Sequence, residues 1–308
     1  MPSQAKEETR MTQAIEPLHH LIDDGTMTQS VYEWRPELKG NGPTLMMVHA
    51  TGFHARLWDE IIGFLPNYHV LAVDQRGHGR STGGPVEHWA SFGQDLKRLI
   101  EQLDLTNLVG IGHSMGAHAL IDAAALCPGR FRQLIAVDPV IAEPAAYENG
   151  GDVHFTPDNP HPAAKRKNDF ASVEEMKERF KERTPYSLFT PASFDNYCQY
   201  GLQPNDEGAR MVLSCPPAVE AAIYMNSRTN VGIFDAVKSL EIPVLIIRAK
   251  SAEGADRWDF TTSPTWPGLV DLFANGREIY RPDLTHFLPQ QIPEELAGII
   301  EDEMAAAR

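Results

Sequence analysis

Asn107-Leu-Val-Gly-Ile-Gly-His-Ser-Met-Gly116 decides how this chain is read. Leu108 to Ile111 is a short apolar run of the kind that forms a buried strand. Gly112-His113-Ser114-Met115-Gly116 then fits G-x-S-x-G, a sharp strand-to-helix turn that strains the serine and lifts its oxygen above the strand ends. The two glycines are required sterically, because a Cβ at either would meet the returning helix. With Gly and Ser each about 7% of residues, the pattern arises by chance in roughly one chain in ten of this length, so its setting must carry the argument. That setting is favourable. Ala117, Ala119, Leu120, Ala123, Ala124 and Leu126 make a helix of small and apolar residues that ends before Pro128.

Working outward, strands and helices alternate. Thr28 to Trp34 alternates like a strand, while residues 1–26 read as a flexible lead-in with a short helix near Ile15 to Ile22. Thr44 to His49 is a buried strand that runs into Ala50-Thr51-Gly52-Phe53-His54, and a helix follows with Trp58, Ile61, Ile62 and Leu65. His69 to Val73 is the next strand, and Asp74-Gln-Arg-Gly-His-Gly-Arg-Ser81 is a turn after it. Phe92, Leu96, Leu99, Ile100 and Leu103 share one helix face. Leu134 to Val137 is a strand that ends at Asp138-Pro139. This rhythm predicts an α/β fold with a mostly parallel central sheet and helices on both faces. The reactive groups of such a sheet lie at the carboxyl ends of its strands, where His49, Asp74, Ser114 and Asp138 all fall.

The rhythm breaks over residues 142–236, a stretch rich in proline and aromatics. It reads as an inserted, mainly helical cap, and Ser172-x-x-Glu175 is a capping box at the start of one of its helices. Residues 27–141 and 237–308 form the core, with a strand at Pro243 to Arg248, a helix near Gly268 to Ala274, a strand at Glu278 to Arg281 and a last helix from Pro293 to about Ala305.

A formal charge of −15 argues against nucleic acid or an anionic membrane as a partner. Cys127, Cys198 and Cys215 are odd in number and widely spaced, which suits neither a disulfide framework nor a zinc site. A polar start and the lack of a long apolar run point to the cytoplasm. His19, His20, His154 and His161 have no carboxylate or cysteine at metal-ligand spacing, so no metal is expected.

Four motifs in order resemble the α/β-hydrolase family over roughly residues 28–305. Val48-His49 with Trp58 resembles its oxyanion loop, and Asp74 to Ser81 its D-x-R-G-x-G-x-S turn. Gly112 to Gly116 resembles the nucleophile elbow, and Thr285-His286-Phe287 with Pro293-Glu294 the histidine loop and last helix. The resemblance implies Ser114 as nucleophile and His286 as its base, without a cofactor. The oxyanion donors it implies are the N–H groups of Met115 and Thr51, with Gly52 and Phe53 as alternatives because Ala50 replaces a family glycine. For the acid, Asp138 is preferred, and Glu253, Asp256 and then Asp259 stay open. Phe53, Trp58 and His113 are expected to line the substrate pocket, and His49 to brace the oxyanion loop. Asp74 and Arg76 read as a structural ion pair or turn. The function expected is hydrolysis of a carboxylic ester or lactone of a small to medium, mainly apolar substrate. A C–C bond hydrolase on the same triad and a ligand receptor on a hydrolase scaffold are the alternatives.

Overall fold

The computed structural model describes residues 16–84, 86–148, 159, 161–252 and 259–306. Strand β1 (Leu18–Asp23) pairs antiparallel with β2 (Thr28–Trp34). Asp24 closes the turn by accepting from the N–H groups of Thr26 at 2.8 Å and Met27 at 2.9 Å, and Gly25 supplies a φ of +79°. Residues 18–22 are therefore strand where a helix is expected, and the supposed lead-in contains an ordered hairpin arm. Leu18 and Leu21, whose spacing with Ile22 suggests a helix face, stay exposed on that edge and bury no such face.

Strand β3 (Thr44–Val48) leads through a 3-10 turn at Ala55–Trp58 into the short helix α1 (Asp59–Gly63). Then come β4 (His69–Val73), α2 (Ala90–Gln102), β5 (Leu108–His113), α3 (Met115–Leu126) and β6 (Phe131–Val137). The inserted segment carries α4 (Val173–Phe180), α5 (Pro191–Tyr200), a hairpin of β7 (Leu202–Pro204) with β8 (Met211–Leu213), and α6 (Pro217–Met225). The core resumes with α7 (Ile233–Ser239), β9 (Val244–Ala249), β10 (Gly276–Arg281), α8 (Leu288–Gln291) and α9 (Pro293–Ala306). Only a 3-10 turn, Val270–Leu272, stands where a helix over 268–274 is expected.

The eight-stranded sheet has the order β1-β2-β4-β3-β5-β6-β9-β10. The β1–β2 and β2–β4 pairs are antiparallel and the rest are parallel. From β3 the chain crosses to β4 on one side, and then to β5 on the other. The ends of β3 and β5 thus form a topological switch point, where open α/β sheets place their ligands.

Alternate residues along each inner strand enter different cores. Met46, Val48, Leu134 and Ile246 pack under α2, α3 and α7. Leu45, Met47, Ile135 and Ile247 pack under α1 and α9. Burial on both faces explains why these strands read as continuous apolar runs. Burying each such side chain contributes about 1.5–3 kcal/mol. In α2 the buried stripe is Phe92, Leu96, Leu99 and Ile100, the face its spacing predicts.

A third cluster joins the inserted segment to the loop after β3. Phe170, Met176, Phe180, Phe189 and Tyr197 pack with Ala50, Phe53 and Leu57. In α4 Ser172 caps the Glu175 N–H at 3.3 Å, while the Glu175 carboxylate reaches back to Ala171 N at 2.6 Å, one residue past the N-cap amide that a full capping box uses.

Candidate active site

The elbow between β5 and α3 is tight for a measurable reason. A Cβ on Gly116 would lie 2.2 Å from Val48 O, and one on Gly112 would lie 2.6 Å from Ala117 Cα. These contacts are with backbone, which cannot move aside cheaply, so α3 starts directly against the ends of β3 and β5. Ser114 between them has φ 58° and ψ −119°, a region that side chains rarely adopt. Its backbone is held on both sides: its N–H donates to Val137 O at 2.9 Å, and its carbonyl accepts from His118 N at 3.2 Å.

The loop after β10 brings His286 to this serine. His286 Nε2 lies 3.0 Å from Ser114 Oγ, and His286 Nδ1 lies 2.6 Å from Asp138 Oδ2. Asp138 ends β6, is fully buried and has φ 47°. Its other oxygen, Oδ1, accepts from Ala249 N at 3.0 Å and Ser263 Oγ at 2.5 Å, with Thr265 Oγ1 3.3 Å away while that hydroxyl donates to Pro139 O at 2.7 Å. The carboxylate is thus fixed by two donors from the far side, with Oδ2 left for the imidazole. Such a line can hold Nδ1 protonated and leave Nε2 free to take the serine proton. Asp259 stands apart: it is exposed and bonds Thr261 N and Oγ1 at 2.8 and 2.6 Å. Glu253 and Asp256 lie outside the described residues.

The loop after β3 faces the start of α3. Thr51 Oγ1 donates to Met115 Sδ at 3.4 Å, so the two side chains meet between the loop and the helix. Gly52 N–H donates to His78 Nε2 at 3.0 Å, and Phe53 N–H donates to Ala50 O at 3.2 Å. Those two amides are committed elsewhere. The N–H groups of Thr51 and Met115 have no protein acceptor among the described residues. His49 ties the loop down: Nδ1 donates to Ala50 O at 2.7 Å and Nε2 accepts from Gln75 N at 3.0 Å. Burial holds His49 and His78 neutral, each with its pKa lowered to about 3.

His113 is buried against the imidazole rather than lining open space. Its Nε2 donates to the backbone carbonyl of His286 at 2.8 Å, and burial followed by the nearby His286 pushes its pKa well down. Phe53 lies 6.1 Å from the rings of both His113 and Phe287, beside the serine. Trp58 corrects an expectation. It is 2% exposed and sits in the core beneath α1 and α9, not in the aromatic cluster above the strand ends. The short 3-10 turn rotates it inward. Arg76 also departs from the sequence reading, since it pairs with Asp95 at 2.5 and 2.6 Å rather than with Asp74. Asp74 instead accepts from Ala55 N, Ser30 Oγ and Arg80 N at 2.7, 2.8 and 2.9 Å, and so braces the far end of the loop after β3.

Sequence reasoning missed Ser263, whose hydroxyl holds Asp138, Thr265 beside it, and Arg166 and Glu220, which pair beside Gly52. Only His78 had a local signal, inside the Asp74–Ser81 turn.

With fold and geometry in view, the chain belongs to the alpha/beta hydrolase family, whose pattern matches residues 45–299. It is 27% identical over 241 residues to a 2-(acetamidomethylene)succinate hydrolase of Mesorhizobium japonicum, covering 75% of this chain and 77% of that one. It is 24% identical over 238 residues to the sn-1-specific diacylglycerol lipase ABHD11 of Danio rerio, covering 75% and 68%. Among solved structures, E-2-(acetamidomethylene)succinate hydrolase superposes with a TM-score of 0.70 at 21% identity, over 93% of this chain and 98% of that one. An esterase of Mycobacterium tuberculosis superposes with a TM-score of 0.66 at 20% identity, over 95% and 92%. No helix among the described residues is long and apolar enough to cross a membrane.

Proposed function

We propose that this protein is a serine hydrolase that cleaves a carboxylic ester or lactone through an acyl-enzyme. Ser114 attacks the carbonyl carbon while His286 Nε2 takes its proton, and Asp138 steadies the imidazolium that results. Thr51 and Met115 N–H donate to the oxyanion. His286 returns the proton to the leaving alcohol, then activates water to release the acid. The observation that carries this reading is the unbroken line Ser114 Oγ–His286–Asp138 at 3.0 and 2.6 Å, set on a strained elbow. The inserted segment acts as a cap over it, and its aromatic cluster with Phe53 offers the acyl chain an apolar wall.

The test is turnover of p-nitrophenyl esters from acetate to long acyl chains, by the wild type and by Ser114→Ala. Turnover by the wild type alone supports the reading, and the chain-length optimum sizes the pocket. Equal rates in both proteins would refute it. A second reading is C–C bond hydrolysis on the same three residues. Its support is a polar group beside the oxyanion loop, Arg166 with Tyr186 and Tyr197, that could hold a second carboxylate or a ketone. Cleavage of a vinylogous 1,5-diketone without ester turnover would favour it.

A further inference from the structure

One charged cluster near the site, that of Arg166, takes no part in the ester-cleaving steps above. Arg166 reaches inward from the inserted segment and is held there. Its Nη1 donates to Glu220 Oε2, and its Nη2 donates to Tyr186 Oη at 3.1 Å and Tyr197 Oη at 2.8 Å. A Cβ on Gly52 would come within 2.9 Å of Glu220 Oε1 and 3.6 Å of Arg166 Nη1. The pair therefore lies on the oxyanion loop, one residue from Thr51.

The hydrogen bonds within this cluster do not balance. A guanidinium has five N–H donors, and here three have acceptors. The remaining Nη1 proton and Nε–H have none among the described residues. The two tyrosine hydroxyls share one bond at 3.0 Å, which leaves one O–H proton over as well. A donor surplus in a half-enclosed site suits a ligand rich in acceptor oxygens.

A second observation points the same way. On its outer side Arg166 lines a pocket of about 190 Å³ whose rim carries Lys165, Arg179 and Arg183. All three are exposed, and none has a carboxylate partner among the described residues. Three open cations around one mouth are out of character for a chain of charge −15. Cations left unpaired at one mouth can draw in anions, even beside the glutamates of α4. Phe180, which also lines the pocket, lies 4.9 Å from the ring of Tyr186, so the mouth adjoins the tyrosine cluster through that ring.

From these observations we infer that the acyl part of the substrate carries a carboxylate, gathered by the basic mouth and seated on the open N–H edge of Arg166. The inference rests on the serine-hydrolase reading and narrows it: the acyl group is apolar near the carbonyl and anionic at its far end. Glu220 balances Arg166 when the site is empty.

The test compares two esters of equal acyl length, mono-p-nitrophenyl glutarate and p-nitrophenyl pentanoate. In the wild type at low salt, kcat/KM should favour the anionic ester at least about tenfold, the scale of one charge-assisted hydrogen bond. The preference should shrink as ionic strength rises. Arg166→Met should erase it, mainly through the glutarate ester. The double variant Arg179→Glu/Arg183→Glu alters only exposed residues. It should raise KM for the glutarate ester, flatten its salt dependence and leave the pentanoate ester within about twofold. A wild type that does not prefer the anionic ester would overturn the inference. So would a loss in Arg166→Met that falls equally on both esters. If Arg166→Met does not fold, the double variant decides alone, and an unchanged salt dependence in it overturns the inference. Fluorophosphonate labelling of Ser114, run alongside, separates the two failures. Labelling without anion preference removes only the carboxylate. No labelling and no turnover removes the hydrolase reading and this inference with it.

Discussion

Asp138→Asn tests the proposed acid with little disturbance of the backbone. Residue 138 has φ 47°, which asparagine tolerates well, whereas alanine would add strain at the same position. The neighbours also dictate how the new amide sits. Oδ1 of Asp138 faces the N–H of Ala249 and the hydroxyls of Ser263 and Thr265. The Ala249 N–H cannot rotate, so the amide oxygen must stay on that side. The amide NH2 then points at His286 Nδ1, which can only accept, and the imidazole proton moves to Nε2. That tautomer cannot take a proton from Ser114. Turning the amide over would set its NH2 against the Ala249 N–H and leave a buried donor unpaired, at a cost of about 1–3 kcal/mol. The flipped and competent form is thus a minority of roughly one part in ten to one in a hundred, and it lacks the charge that stabilises the imidazolium. We expect kcat to fall by about 10³–10⁴ with KM and melting temperature little changed. The assay is steady-state hydrolysis of a p-nitrophenyl ester at several pH values, with a thermal melt of each protein. A kcat within tenfold of the wild type in a folded Asp138→Asn would refute the reasoning and return the role to Glu253 or Asp256.

Three further outcomes follow from the same geometry. Gly116→Ala places a Cβ 2.2 Å from Val48 O, so it should destabilise by more than about 3 kcal/mol or prevent folding, as urea titration would show. Trp58→Ala removes a core side chain and should cost about 3–5 kcal/mol of stability while KM stays near the wild-type value, contrary to a pocket role. The third outcome concerns acid. Burial lowers the pKa of His49 and His78 to about 3 and of His54 and His118 to about 4. Below about pH 6.5 the unfolded chain protonates these four histidines and the folded chain does not, so stability falls with pH. Asp59 and Asp122, raised to about 6 by burial, act in the opposite direction below that pH. Near pH 5 the net slope from these six groups should be about 2–3 kcal/mol per pH unit, measurable by urea titration from pH 7 to pH 5.

The parts of the fold legible in the sequence are those fixed by contacts close along the chain. Gly112 and Gly116 mark the elbow because the strand and helix they join are adjacent in sequence. The helix face of Phe92, Leu96, Leu99 and Ile100 follows from one period. Asp138 was readable as a strand end, but its fitness as an acid rests on Ala249 and Ser263, more than 100 residues on, which leave no local trace. Arg166 was hidden for the same reason, since Glu220 lies 54 residues away and no spacing rule links them. β1 reads as a helix because Ile15, Leu18, Leu21 and Ile22 fall at helical spacing, whereas pairing with β2 decides its form and leaves Leu18 and Leu21 exposed. Trp58 shows a different limit. Composition marks it as a large aromatic near the oxyanion loop, but only the turn of the 3-10 segment decides which side of the sheet it joins.

The most direct test of the central claim is the intact mass of the protein after exposure to a fluorophosphonate, for the wild type and Ser114→Ala side by side. The account predicts one covalent adduct, located on Ser114 by peptide mapping, formed quickly in the wild type and absent from the variant. An unmodified wild type, or an adduct that persists in Ser114→Ala, would contradict it.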